Sequence, residues 1–252
     1  MTSVLLPDAE TSGEARDTGR LIVTVRRPDG DYQAVGVLTA TPERYSFAYL
    51  RRAVEADGFI SLLGFPETQR VYERPYLFPL FAERVISPRR PDRLEYLRTL
   101  NLGEDATPLE VLTHSGGHRR GDNIELVPMP VIDASGATRA LFMAHGVRYR
   151  GSAASERIAR LSTGEPLTLA PEPSNPADPF AVGVHDTGGL LLGYVPRPLT
   201  GYIHALKEMA AAVEVANGVE TNPHLRLLVR LNGTLPAGVD PFAGPEWDTF
   251  GS

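Results

Sequence analysis

The sequence predicts an α+β fold in two parts, and three observations carry that prediction. Apolar and polar residues alternate on both sides of a Pro28-Asp29-Gly30 turn signal near the start. Leucines recur at helical spacing between residues 91 and 112. From Leu141 onward, short strand-like runs surround a single helical stretch. The first part is therefore a small sheet with short helices, and the second is a small, partly closed β-barrel with one helix.

Residues 1–19 mix Ser, Thr, Gly, Asp and Glu without an apolar period and read as a disordered tail. Leu21, Val23 and Val25, and then Ala34 to Thr39, alternate as the two strands of a hairpin. YSFAYLRRAV (45–54) leads into an aromatic and proline-rich stretch up to Phe81. Leu94, Leu97 and Leu100 place a helix over about Pro91–Leu100, and a second helix covers Pro108–Leu112. Asp105 or Thr107 serves as its cap, with Pro108 at the first helical position, where its missing N–H has no partner to lose. The turn clusters of MPVIDASGATR put a boundary near Pro130–Thr138, which gives domains at 20–130 and 139–235. In the second domain LFMAHGVRYR reads as a strand, GSAASERIARLSTGE as a polar connection, and LTLAPEPSNPADPFAVGVHD and LLLGYVP as further strands. A helix is expected from Leu199 to about Ala216, then a last strand, LRLLVRLNG, and a Gly- and Pro-rich tail over 236–252.

Composition limits the function classes. An apolar share of 42% and a charged share of 22% over 252 residues are ordinary globular usage. The absence of cysteine excludes disulfides and thiolate metal sites. Neither an apolar run long enough to span a membrane nor a secretory leader is visible, so a cytoplasmic protein without a membrane partner is expected. The net charge of −6 argues against bulk electrostatic binding of duplex DNA, which leaves a local patch. Arg139, Arg148, Arg150, Arg157 and Arg160 face only Glu156 within one stretch, a local charge of +4. Codon bias toward arginine accounts for scattered arginines equally well, since Lys207 is the only lysine.

Other signals are weaker. The Gly116–Gly121 loop lacks the Gly-Lys-Ser/Thr end of a phosphate loop and reads as a turn. His114 and His118 have no HExxH frame, and Ser115 beside His114 is not a nucleophile–base arrangement. No catalytic set, metal site or cofactor site is expected.

In the first part, VGVLTA (35–40), SFAYL (46–50), YLFPLFAERVISPRRPDRLEYL (76–97) and LEVLTHSGGHRRGDNIELVP (109–128) occur in order. This order resembles the N-terminal subdomain that precedes the kinase domain in HipA-type toxins. It departs from that pattern at ISPRR, and no kinase activity carries over. The resemblance implies a protein partner for this half.

In the second part, HGVRYRG (145–151), GEPLTLAPEPSNPADPFAVGV (164–184) and GGLLLGYVPRPLTGYI (188–203) follow one another. Together they resemble the HIRAN domain. The resemblance implies an OB-like barrel that binds single-stranded DNA, gripping a 3′ end, and so a non-enzymatic nucleic-acid-binding protein. The alternative is an antitoxin-like or regulatory subunit that partners a HipA-type kinase. A nuclease or phosphotransferase has the least support.

The residues suit the DNA task. A single strand offers phosphates on one side and ring faces on the other, so a groove needs arginines beside aromatics. Arg148, Tyr149 and Arg150 supply both. The resemblance gives Arg148 a phosphate and Tyr149 a base. If this is a strand, Arg148 and Arg150 share a face that Tyr149 does not, and a bulge at Gly151 reconciles them. Asn175 sits in a rigid Glu172–Pro176 turn, and Asp178 can accept a hydrogen bond from a terminal sugar hydroxyl. Both residues also fit a purely architectural role. Tyr194 offers another ring, and Arg197 stands at the mouth of the following helix. Ala177 replaces the aromatic common in the family, which removes one stacking surface. Phe180 shares strand parity with Val182 and Val184 and is expected in the core.

Overall fold

The computed structural model of the protein describes residues 18–27, 30–119 and 121–251. The predicted tail up to residue 17, the Pro28-Asp29 pair of the hairpin turn, Arg120 of the glycine loop and Ser252 lie outside the described residues. The fold is mixed, with two antiparallel sheets and a few short helices.

The first sheet is built by β1 (Gly19–Arg26), β2 (Tyr32–Ala40), β3 (Tyr45–Tyr49), β4 (Tyr72–Arg74) and β5 (Ile124–Pro128), in the order β4-β3-β2-β1-β5. The predicted hairpin is β1 and β2, which pair from Gly19↔Ala40 to Arg26↔Tyr32 with a bulge at Val23/Thr24. Between β3 and β5 run α1 (Arg51–Val54), α2 (Pro79–Ala82), α3 (Arg93–Thr99) and α4 (Pro108–Ser115). The aromatic stretch supplies the core, because Phe47, Tyr49, Phe65, Phe78 and Phe81 are buried against one another. The Tyr49 hydroxyl sits inside this cluster, accepting from the Leu62 N–H (2.6 Å) and donating to the Phe65 carbonyl (3.0 Å). Burial pushes its pKa up to about 12. Thr107 and Glu110 form a reciprocal capping box at the start of α4, and Pro108 opens the helix. Leu97 and Leu100 are buried as their spacing predicts, while Leu94 is exposed.

The second sheet comprises β6 (Val131–Ile132), β7 (Ala137–Met143), β8 (Pro166–Pro171), β9 (Val182–His185), β10 (Leu191–Tyr194), β11 (Glu208–Ala216) and β12 (Leu227–Thr234). Its order is β10-β9-β8-β11-β12-β7-β6. Beyond β7, His145 and Tyr194 exchange both backbone hydrogen bonds (2.8 and 2.9 Å), so the β10 edge of the sheet returns to the end of β7. Two helices accompany this sheet, α5 (Gly151–Ile158) and α6 (Arg197–Ala205).

Three expectations are corrected here. The polar connection after residue 150 forms α5, which buries Ala154 and Ile158 on one face. The expected helix from Leu199 to Ala216 divides, because only its first half, α6, is helical, and 208–216 is strand β11. Within β11, Ala211, Val213 and Val215 are buried at a period of two, and the strand pairs with both β8 and β12. Sheet burial thereby overrides the helix preference of an alanine-rich run. Phe180 lies in the turn before β9 and is 67% exposed, so it is not core.

One contiguous core extends from Leu21 to Leu235 through both parts. The Gly- and Pro-rich segment after Leu235 folds back over the first part. Its Arg51 N–H to Asp248 carbonyl (2.8 Å) and Phe250 N–H to Tyr49 carbonyl (3.2 Å) hydrogen bonds bring Phe242, Trp247 and Phe250 against the core. Among the described residues, no helix is long and apolar enough to cross a membrane.

Candidate functional site

Three residues past the end of β7 the chain turns at Gly146, whose φ of 68° is the left-handed conformation that glycine adopts without steric cost. A 3-10 turn over Val147–Tyr149 follows, with Tyr149 N–H donating to Gly146 O (3.0 Å) and Arg150 N–H to Val147 O (3.1 Å). Gly151 then begins α5. The expected strand with a bulge at Gly151 is thus a turn. Three residues per turn send Arg148, Tyr149 and Arg150 in three directions, rather than to two alternating faces. Each arginine covers a tyrosine: the Arg148 guanidinium lies 4.7 Å from the Tyr149 ring centre, and that of Arg150 lies 5.2 Å from the Tyr194 ring centre. Tyr149 itself is 60% exposed.

Arg148, Tyr149, Asn175, Asp178, Tyr194 and Arg197 line one cleft of about 510 Å³, a size typical of small-ligand sites. Arg150 stands behind it on the Tyr194 ring. Arg157, counted in the basic stretch, instead pairs with Glu165 and with Asp186 (2.8 Å) and leaves the patch.

The Glu172–Pro176 turn is fastened from within. Asn175 Nδ2 donates to Glu172 Oε2 (2.8 Å), and its Oδ1 accepts from the backbone N–H groups of Ala177 (3.0 Å) and Asp178 (3.3 Å). Most of the hydrogen-bonding capacity of Asn175 is thereby used in holding the turn. Glu172 also accepts from the Tyr194 hydroxyl (3.1 Å), and burial together with this carboxylate raises the Tyr194 pKa. Asp178 spends one oxygen on the Phe180 N–H (2.9 Å), and its other oxygen lies 3.8 Å from Arg197 Nε. Arg197, at the first position of α6, also pairs with Asp31 of the first part. Both partners are more than half exposed, so this pair is worth about 0–1 kcal/mol.

The opposite wall of the cleft belongs to the first part, and the sequence reading missed it. Arg26, Asp31, Tyr32, His118, Asp122 and Glu125 contribute there. Buried Glu125 on β5 meets His145 Nε2 at 2.8 Å, and Tyr32 lies against the His145 ring at 5.3 Å. Burial disfavours both charges, yet their mutual attraction prevails, so the Glu125 carboxyl is held below and the His145 imidazole above its ordinary range. His118 stacks on His224 with ring centres 3.8 Å apart. Burial and the His118 neighbour lower the His224 pKa to about 4, so His224 is neutral near pH 7. His145 opens the HGVRYRG block and was legible there. The partners of these histidines come from sequence positions that no local motif connects to them. Among the described residues, no group of three or more His, Asp or Glu side chains is arranged to hold a metal ion.

The family model of the HIRAN domain matches residues 140–235, which run from within β7 to the end of β12 and include α5, α6 and the Arg148–Arg197 wall of the cleft. Among solved structures, the crystal structure of the HIRAN domain of human HLTF is similar at 22% identity, covering 40% of this chain and 74% of that chain, with a TM-score of 0.28. No curated protein matches the chain.

Proposed function

We propose that a chain whose residues 140–235 match the HIRAN domain binds single-stranded nucleic acid in the cleft between its two parts, as a non-enzymatic module. The observation that carries this is convergence. Six residues from three separated sequence blocks, Arg148, Tyr149, Asn175, Asp178, Tyr194 and Arg197, border one cavity. Arg148 supplies a phosphate contact and exposed Tyr149 a stacking face, the pair of groups a single strand requires. Asp178 keeps one oxygen turned from the backbone, 3.8 Å from Arg197 Nε, and that oxygen suits the hydroxyl of a strand end; the resemblance to the HIRAN domain makes that end a 3′ end. The return of β10 to β7 at the His145–Tyr194 bridge supports reading this sheet as the OB-like barrel.

Fluorescence anisotropy of a labelled single strand over a salt series tests the reading. Affinity is expected to fall with salt, and Arg148→Ala to reduce the log–log slope by about 0.7, one phosphate contact's share for a single strand. Binding indifferent to both changes would count against the proposal. Cleavage of the labelled strand with a divalent metal, lost in Asp178→Ala, would contradict the non-enzymatic reading.

A second reading has its own observation. Ile60 and Leu63 in the first part are 84% and 86% exposed, and large apolar side chains this open suit a protein partner such as a HipA-type kinase. Co-purification of such a kinase, lost when both are changed to Asp, supports it. Retention of the kinase by that double variant counts against it.

A further inference from the structure

A second cavity of about 500 Å³ lies beside the cleft, and the strand contacts proposed above leave it unused. Its walls are β2 and α1 of the first part and α6 of the second, with the folded-back C-terminal segment across them. Asp31, Tyr32 and Arg197 line both cavities, so the two adjoin at the Asp31–Arg197 ion pair. The second cavity repeats the chemistry of the first. Trp247 stands edge-on to Phe242 at 5.0 Å, and Phe242 stacks over Tyr202 at 6.0 Å, which makes an aromatic wall. Arg27 and Arg52 border the same space, and neither has an ion-pair partner among the described residues.

We propose that this second cavity is a subsite for a later unpaired nucleotide of the same strand, beyond the reach of a dinucleotide bound in the first cleft. The base lies against Trp247 and Phe242, and the phosphate lies between Arg27, Arg52 and an Arg197 released from Asp31. The inference rests on the nucleic-acid reading of the first cleft. Three features favour a continuing strand over an unrelated small molecule. The cavities share a border, unpaired guanidinium groups match a phosphate, and aromatic faces accept any base without sequence preference. The Asp31–Arg197 pair is then the gate a strand opens in passing from one subsite to the next, exchanging a carboxylate partner for a phosphate.

Trp247 is the only tryptophan in the chain, so its emission reports on this cavity alone. Unlabelled oligothymidylates of two and of six residues are titrated while Trp247 emission is followed, and anisotropy of labelled strands measures overall binding in parallel. The six-residue strand is expected to quench Trp247 and to bind about tenfold more tightly than the dinucleotide, the gain of one stacked base. Arg52→Glu is expected to remove the quench and that gain while leaving dinucleotide affinity unchanged. Arg27→Ala gives the same readout if α1 is disturbed by the first substitution. Binding of the long strand with Trp247 emission unchanged overturns this inference and leaves the first cleft standing. Quenching by thymidine monophosphate with no added affinity for long strands makes the cavity a free-nucleotide site and overturns it too. Absence of binding by every strand overturns both readings.

Discussion

Arg148, Arg150 and Arg197 are three arginines of one sequence class that differ in what their guanidinium groups already touch. Arg148 rests on an exposed ring and is open to a phosphate, whereas Arg150 is backed onto Tyr194 with a buried Nε that has no hydrogen-bond partner among the described residues. Arg197 is held by Asp31. An acid in a polyanion's path opposes binding, so Asp31→Ala is expected to tighten single-strand affinity about two- to fivefold, the scale of an exposed ion pair, and to steepen the salt slope. Unchanged or weaker binding in anisotropy would show that Arg197 is not freed for the strand. The sequence displayed Arg197 and Asp178 but not Asp31, which lies 166 positions from Arg197. A residue's own chemistry is legible locally, while the partner that cancels it comes with the tertiary fold. Asn175 makes the same point, since its type and setting announced a turn, and its hydrogen bonds are spent on one.

Elements whose burial is one-sided were readable, and those set by sheet neighbours were not. The β1–β2 hairpin and the capped α4 follow from alternation and from Thr107-Pro108, both local signals. Strand β11 was mistaken for helix because alanine and glutamate favour helices, although the period of two at Ala211, Val213 and Val215 was present. The turn bearing Arg148 and Tyr149 was also missed. Its left-handed Gly146 looks in sequence like any glycine at a strand end. At the facing edge, a Cβ on Gly193 would stand 2.8 Å from the His145 carbonyl oxygen, closer than real Cβ atoms approach backbone. Gly193→Ala is accordingly expected to force the His145–Tyr194 bridge apart, costing about 1–3 kcal/mol in urea unfolding, and to weaken strand binding through displaced Tyr194. Stability equal to the native protein's would mean that the bridge does not hold this edge.

At the scale of the molecule, the two parts are joined by a shared core and by polar contacts that meet in the cleft, above all Glu125 with His145. His145 titrates above its ordinary 6.5, so its contribution to stability is complete below that pH and lost as pH rises through the folded value. Glu125 titrates below its ordinary 4.5, so its contribution is complete above that pH and lost as pH falls. The pair therefore stabilises most between those two values. His224 acts in the opposite sense. It stays neutral in the fold down to about 4, so protonation of the unfolded chain removes stability as pH falls from 6.5. Glu125→Gln is expected to cost on the order of 1–3 kcal/mol at pH 6 and less at alkaline pH, read from paired unfolding curves. A pH-independent difference would mean that the pair is not ionised in the fold. The cleft these groups close from behind is the centre of the proposed function. The most direct test is a crystal structure of the protein with a short single-stranded DNA carrying a free 3′ hydroxyl. The expected result is a base on Tyr149, a phosphate at Arg148 and the terminal hydroxyl at Asp178. A strand bound on any other face, with the cleft empty, would contradict it.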